Sequence, residues 1–351
     1  MKEIIRYATI HDKDLIKNFL HNYWANGHIL SKSNELFDFF YADFLKEKIN
    51  MFLGFSDHEL TGLQGFIPSD HFFDLSGKKI NNHFTSIIWL SLWHVNKNAP
   101  NGQGIRLIRE IEKNFPSSII VATGYRDSVE VIYKSLGFET GILGHYVVIN
   151  PEIEKAKLKS FNLPDSTSIN RANLKSIKIR KVSDQVEITN IIEKLFLENL
   201  EMTHFKTPFY YLSRFINFKF YKYEFYVILG RDQNTEGFMI CRISNSPLGK
   251  VLRIVEIITR TILINLYEEI VDILVKNSFI YADYYDNLEN KEFSTAFGFL
   301  RLNEKNSIPN LFEPFSIKRK IFRVAIKGKG HDTNLYITRA DGDQDRPSIL
   351  L

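Results

Sequence analysis

Gly102 and Gly104 stand where an apolar run, residues 87–95, gives way to a helical pattern, residues 105–115. Lacking a Cβ, both let main-chain N–H groups come close to a ligand. At a helix start those groups are unpaired and sit at the positive end of the dipole, so the turn suits a pyrophosphate or another anion. An ordinary strand-to-helix turn would use the same glycines. His94 lies at the end of the apolar run and, in a strand, points to the opposite side from Trp93 and Val95. A neutral imidazole there can accept a proton near pH 7. A histidine that only hydrogen-bonds a ligand or a neighbour would occupy the same place. Ser86 and Ser91, in the same region, could position a ligand or fill tight places in a sheet.

The elements that must hold these residues read as an α/β unit. Residues 3–8 form a first strand, and Asp12 or Asp14 caps a helix turning Leu15, Phe19 and Tyr23 inward. A Phe-rich helix follows over residues 35–45, then a hairpin of residues 51–55 and 60–67. Past a polar loop holding His71 and His83, by default surface histidines, comes the apolar run as a buried strand. Leu107, Ile108, Ile111 and Phe115 then recur at helical spacing. Residues 118–123 are a strand, residues 128–136 a short helix stopped by Gly137, and residues 145–150 a strand that closes this half.

The second half repeats the first. Residues 176–182 match the opening strand, Asp184 caps a helix carrying Ile188, Ile191, Ile192 and Leu195, and residues 225–229 and 237–243 form the hairpin. A strand over 252–258, a helix over 262–275, a strand over 280–285 and a short helix over 293–299 complete the copy, with Gly298-Phe299 in place of Gly137-Phe138. The expected organisation is a domain over 1–150, a linker over 151–175 and a degenerate copy over 176–351. Each domain is expected to hold a mixed, mostly antiparallel sheet flanked by helices. Thr259-Arg260-Thr261 offers no glycine where the first copy has two, so one cradle is expected.

With 351 residues, 44% of them hydrophobic and 25% charged, the chain can bury two full cores. A net charge of +4 is too small to argue for nucleic acid. The lone Cys241 excludes an internal disulfide, and without a CxxC or HExxH pattern no metal is expected. The N-terminus is charged too early for a secretory leader, and no apolar run reaches the roughly 18 residues of a spanning helix. A cytoplasmic protein without a membrane partner is expected; whether it is a monomer or a dimer is not fixed.

The pattern resembles the GNAT superfamily of acyl-CoA-dependent N-acyltransferases. The residues that carry the likeness are Ala99-Pro100-Asn101-Gly102-Gln103-Gly104, with Ala99 for the usual Arg or Gln, and Tyr133 to Gly137-Phe138. The run from Ile308-Pro309-Asn310 to Phe315 and the tail from Arg339 to Pro347 look like two-domain nucleotide-sugar N-acyltransferases, a group that includes the enzyme of anthrose synthesis. The resemblance implies transfer of an acetyl or 3-hydroxybutyryl type of group from acyl-CoA to a dTDP-linked 3-amino- or 4-amino-dideoxyhexose for surface polysaccharide. It puts acyl-CoA on the first domain and the nucleotide sugar between the two. Two other readings keep the fold: an N-acetyltransferase of a different small amine or peptide, and a non-catalytic binding module.

On this resemblance the coenzyme A cradle comprises Asn101, Gly102, Gln103, Gly104, Ile105 and Arg106, and a main-chain N–H near His94 or Val95 faces the thioester oxygen. His94 is the group nearest the amine. Tyr133 holds the place from which relatives protonate the leaving thiolate, or else packs its helix on the core. Trp93 would contact the acceptor. Arg214 and Lys219 would meet the diphosphate, and Tyr221 or Tyr223 would stack on the base. From the tail, Arg339, Asp341, Asp343 and Arg346 would touch the nucleotide sugar or form a salt-bridged clasp.

Overall fold

The computed structural model describes residues 2–24, 27–72, 86–153, 175–197, 206–260, 264–287 and 296–348, apart from 304, 307, 314 and 329–334. His83 and most of the expected linker lie outside the described residues. In chain order the first copy has β1 (Glu3–Thr9), α1 (Lys13–Phe19), α2 (Ile29–Lys32), α3 (Asn34–Tyr41), β2 (Lys48–Ser56), β3 (Glu59–Pro68) and β4 (Ile87–Val95). It continues with α4 (Gln103–Asn114), β5 (Ile119–Thr123), α5 (Glu130–Ser135) and β6 (Glu139–Ile142). The second has β7 (Gly144–Ile149), β8 (Lys178–Val182), α6 (Gln185–Leu197), α7 (Pro208–Tyr211), β9 (Tyr223–Leu229), β10 (Thr235–Ser246) and β11 (Gly249–Thr259). Then come α8 (Tyr267–Lys276), β12 (Tyr281–Asp286), β13 (Leu300–Leu302) and β14 (Arg323–Lys327).

Two compact units result. One comprises Met1–Gly141, Phe322–His331 and Asp341–Leu351; the other comprises Ile142–Ile321 and Asp332–Ala340. Their sheets run β1-β2-β3-β4-β5-β14-β6 and β8-β9-β10-β11-β12-β7-β13, so the repeat read from the sequence is a repeat of sheet order. The expected closing strand of the first half, residues 145–150, is a strand but does not close that sheet. It pairs antiparallel with β12, Tyr281 against Ile149, in the second sheet. β14 takes the equivalent place in the first, Val324 against Thr123. Strand propensity can be read locally; the partner of a strand cannot.

In the first unit β4 and β5 are the parallel pair, joined by α4 as the crossover. The core gathers Phe52, Phe66, Ile88, Leu90, Ile120 and Ala122 from strands under Leu107, Ile108 and Ile111 of α4. That face of α4 is the one its spacing gives; Leu15 and Tyr23, expected in the core, are instead exposed. Ile16, Phe19 and Leu20 form the buried stripe of α1, and the wider π-helical turn over Leu20–Trp24 shifts the phase of the side chains after it, Tyr23 and Trp24. The Phe-rich helix stops at Tyr41, with Phe44 and Leu45 exposed in the turn beyond. In the second unit α8 starts only at Tyr267, and Ile264–Asn265 is a short strand against Lys175–Ser176. Among the described residues no helix is long and apolar enough to cross a membrane.

Candidate active site

β4 positions the chemistry through one irregularity. Gly65 faces Ser91 and Gln64 faces Trp93, which leaves Leu92 as an extra residue at φ 37°. Such a bulge, at a backbone angle a leucine rarely adopts, reverses the alternation of side chains beyond it. Ile88 and Leu90 lie under α4, and so does Trp93. Ser91 and His94 thereby share the other face: Ser91 lies 3.0 Å from the Tyr41 hydroxyl, and the His94 ring lies 5.8 Å from both Phe19 and Trp24.

The parallel pairing of β4 with β5 runs from Ile87–Ile119 to Leu90–Ala122 and ends there. Beyond Leu90, that edge of β4 has no strand partner among the described residues. Asn96 donates its N–H to Thr61 O at 2.8 Å, and Leu63 pairs with His94. In an antiparallel ladder bonded and non-bonded pairs alternate, so the N–H of His94 is turned to β3 and that of Val95 to the open edge. Of the two main-chain donors expected here, Val95 is the one that faces outward.

At the head of α4, Gly102 adopts φ 77°, which glycine takes without strain. Gln103 N donates to Pro100 O at 3.0 Å, whereas the N–H groups of Gly104 and Ile105 have no protein acceptor among the described residues. These unpaired donors fit a phosphate. The side chains around them have other work. Gln103 is buried over Gly54 and Gly62 and accepts from Thr61 Oγ1 at 3.0 Å. Arg106 grips Glu3 at 2.7 Å and donates to Asn101 O at 2.9 Å, so its guanidinium is committed to the fold. A Cβ on Gly104 would come 3.1 Å from the Trp93 indole, a tight contact that the indole would have to yield to.

Several expected roles change. Trp93 is 5.9 Å from Tyr133 on the α4 side, turned away from His94, and is no acceptor contact. Tyr133 packs α5 between Trp93, Tyr125 and Phe138. Burial raises its phenol well above the usual range, which makes it a poorer acid for a thiolate. Packing is the better account of it. Ser86 stands at the opposite end of β4 from His94, roughly 26 Å along an extended strand of eight steps. His71 is not a free surface histidine, since it meets Asn50 at 3.1 Å and Phe39 O at 2.9 Å. In the second unit Arg214 is buried against Phe215 and Phe218, and Tyr221 is covered by Arg242 and bonded to Glu313. Tyr223 packs against Phe215 and Phe218. The Tyr221 ring is thereby covered, while Tyr223 stays half-buried. Lys219 is exposed, and Arg339 lies over the Tyr285 ring.

The tail enters the first unit from Asp341 onward. Asp343 accepts from Arg346 Nε at 2.9 Å and lies 3.2 Å from the Tyr41 hydroxyl; Arg346 Nη2 lies 3.4 Å from His28 Nε2. Asp341 itself is fully buried. Ser91, Tyr41, Asp343, Arg346, His28, Trp24 and His94 therefore form a continuous rim on one face of β4. Sequence reasoning missed Trp24, His28 and Tyr41. The π-turn that presents Trp24 has no local signature, although an aromatic pair just before Gly27 marks a helix end. Burial, then the charge of Arg126, holds His94 below its usual value, so the imidazole is neutral at pH 7.

No family model matches the sequence, and no curated protein matches it. Among solved structures, a GCN5-related N-acetyltransferase from Anabaena variabilis aligns over 93% of this chain and 72% of its own, with TM-score 0.55 and 13% identity. The fold is that of the GCN5-related N-acetyltransferases. A probable N-acyltransferase from Enterococcus faecalis, a conserved protein of unknown function, aligns over the same shares with TM-score 0.53 and 11% identity. At such identities the likeness concerns the GNAT fold alone. It agrees with the expected architecture of mixed, largely antiparallel sheets flanked by helices.

Proposed function

We propose that this chain is an acyl-CoA-dependent N-acyltransferase acting on the amine of a nucleotide-linked amino-deoxysugar. The observation that carries the reading is the open edge of β4 beyond Leu90, with the Val95 N–H turned outward, next to unpaired donors at Gly104 and Ile105 and beside His94. The pyrophosphate of acyl-CoA would take the N–H groups at the head of α4, and its thioester oxygen the N–H of Val95. His94 takes a proton from the substrate ammonium. The freed nitrogen attacks the thioester carbon, the carbon–sulfur bond breaks, and the proton the nitrogen sheds ends on the departing thiolate through solvent. A depressed imidazole value keeps His94 in its accepting form at neutral pH. Asp343 and Arg346, rather than Tyr221 and Tyr223, bring polar contacts to the acceptor.

A thiol-release assay crosses acetyl-CoA and 3-hydroxybutyryl-CoA with dTDP- and UDP-linked amino-deoxyhexoses. Thiol release with at least one pair is expected. No release with any of them, alongside release with a polyamine or a peptide, would overturn the sugar reading and keep the acyl transfer.

A further inference from the structure

Trp24 is a large aromatic side chain left 38% exposed at the edge of the candidate site, where a buried position would be its ordinary fate. Its ring stands 5.8 Å from His94 and 5.9 Å from His28, tilted by 50° and 57°. Behind it Phe19 is buried and holds both the His94 ring at 5.8 Å and Tyr23 at 5.0 Å. The π-turn Leu20–Trp24 swings Tyr23 and Trp24 out of the helix's buried stripe. Turns of this kind cost regular hydrogen bonding and recur at functional sites. The rim is polar: His28 Nε2 lies 3.4 Å from Arg346 Nη2, and Arg346 is fixed in turn by Asp343.

We infer that Trp24 is a stacking plate for the sugar ring of the acceptor, with Arg346, which His28 flanks, meeting its hydroxyl groups and His94 its amine. This rests on the reading of the acceptor as an amino sugar. An indole face is electron-rich, so it receives the weakly positive C–H groups along one face of a hexose, while the ring's hydroxyls point sideways to polar partners. A flat apolar plate with hydrogen-bonding groups only at its edge matches that division of a pyranose. A long acyl chain would want apolar groups at the edge as well. Arg346 is buried enough, at 17% side-chain exposure, to keep a fixed direction, and its pairing with Asp343 makes it a hydroxyl donor more than a free cation. The plate also fixes the height of the ring above β4, which brings an equatorial amine toward His94.

Trp24→Phe and Trp24→Ala test the assignment, since an exposed site tolerates both. The probes are a dTDP-4-amino-4,6-dideoxyhexose and, as a ring-free amine, n-butylamine, each with acetyl-CoA. The hexose probe is expected to quench tryptophan fluorescence in the wild type and to lose that quench in Trp24→Phe, where Trp89 and Trp93 remain. For the alanine variant, KM for the hexose should rise about ten-fold, and the ratio of kcat/KM for the hexose to that for butylamine should fall by about the same factor. Equal loss for both amines would make Trp24 a support for His94, and an unmoved KM would take it out of the site; either removes the plate while leaving the acyltransferase reading intact. If the wild type releases thiol with butylamine and binds no hexose probe, the sugar reading and the plate fall together.

Discussion

The two units carry the same corner with different contents. In each, a central strand pairs in parallel with the next for a few residues and then parts from it. In the first unit the pairing ends at Leu90–Ala122, and among the described residues the outward edge of β4 finds no strand beyond. In the second, β11 and β12 pair only at Leu252–Ala282 and Arg253–Asp283. There the unit's own residues 335–340 enter. The Tyr336 hydroxyl donates to Ile257 O at 3.0 Å, Thr338 bridges Asp286, and Asn287 holds Leu335 O and Ile337 N. Arg253 adds a buried fork on Asp283. Backbone groups cannot stay unpaired in a protein interior. One copy answers that requirement with its own chain; the other leaves an edge that a ligand can complete.

The largest effect is expected from Gly104→Val. The new side chain meets the Trp93 indole and the unpaired N–H groups together, so turnover and acyl-CoA affinity should both be lost, with about 1–3 kcal/mol of stability. Combining it with Trp93→Ala separates the two causes. Measured by denaturant titration against Trp93→Ala alone, the valine should cost no further stability in the double variant, while acyl-CoA binding should still be lost. Binding kept in the double variant would mean that the glycine serves only the indole and that the first corner is no more a cradle than the second.

His94→Gln comes next, with a fall in kcat of about a hundred-fold or more, the usual range for a lost proton acceptor. In the wild type the acid limb of the kcat/KM profile should lie below the ordinary histidine value, because burial and Arg126 depress it. A base works only when deprotonated, so activity is full above that limb and falls as pH drops through it. Arg126→Ala should move the limb upward. A limb that stays in place would show that His94 only orients the acceptor.

The filled corner gives a smaller effect of another kind. Tyr336→Phe should cost about 1 kcal/mol by removing one buried hydrogen bond, with acyl-CoA turnover unchanged. Calorimetric titration should give one acyl-CoA per chain in both the wild type and the variant. A second equivalent in either would break the contrast between the units.

Much of this was legible in the sequence, and the exceptions have physical causes. The apolar run, the glycine turn and the periodic Leu107, Ile108 and Ile111 are local signals, and they became β4, its turn and the buried face of α4. His94 and Trp93 were correctly read as pointing apart. The bulge at Leu92 was not visible, and it moves Ser91 onto the face of His94. Basic and aromatic residues in 214–223 looked like a ligand site because composition does not say which rings are already stacked. Arg242 over Tyr221 decides that, from a strand distant in sequence. The exchange of β7 and β14 was hidden for the same reason. Thr259-Arg260 brings no glycine, Thr261 lies outside the described residues, and what stands beside the end of β11 comes from residues 335–340.

The smallest expected effect tests how the tail touches the open corner. Gln344 Nε2 donates to Thr123 O at 3.2 Å, at the last residue of β5, and its Oε1 would lie 2.8 Å from a Cβ on Gly124. It is the first unit's modest counterpart to the contacts of residues 335–340 in the second. Removing the whole tail would be a poor probe, because Asp341 and Asp345 are buried and their loss would unfold the unit. Gln344→Ala deletes one part-buried hydrogen bond and should cost about 0.5–1 kcal/mol. Acyl-CoA affinity should hold, while KM for the acceptor should rise a few-fold as Asp343 and Arg346 lose their neighbouring anchor. A fall in acyl-CoA affinity instead would mean that Gln344 lies in the path of the pantetheine arm, and that the tail completes the donor side of the corner.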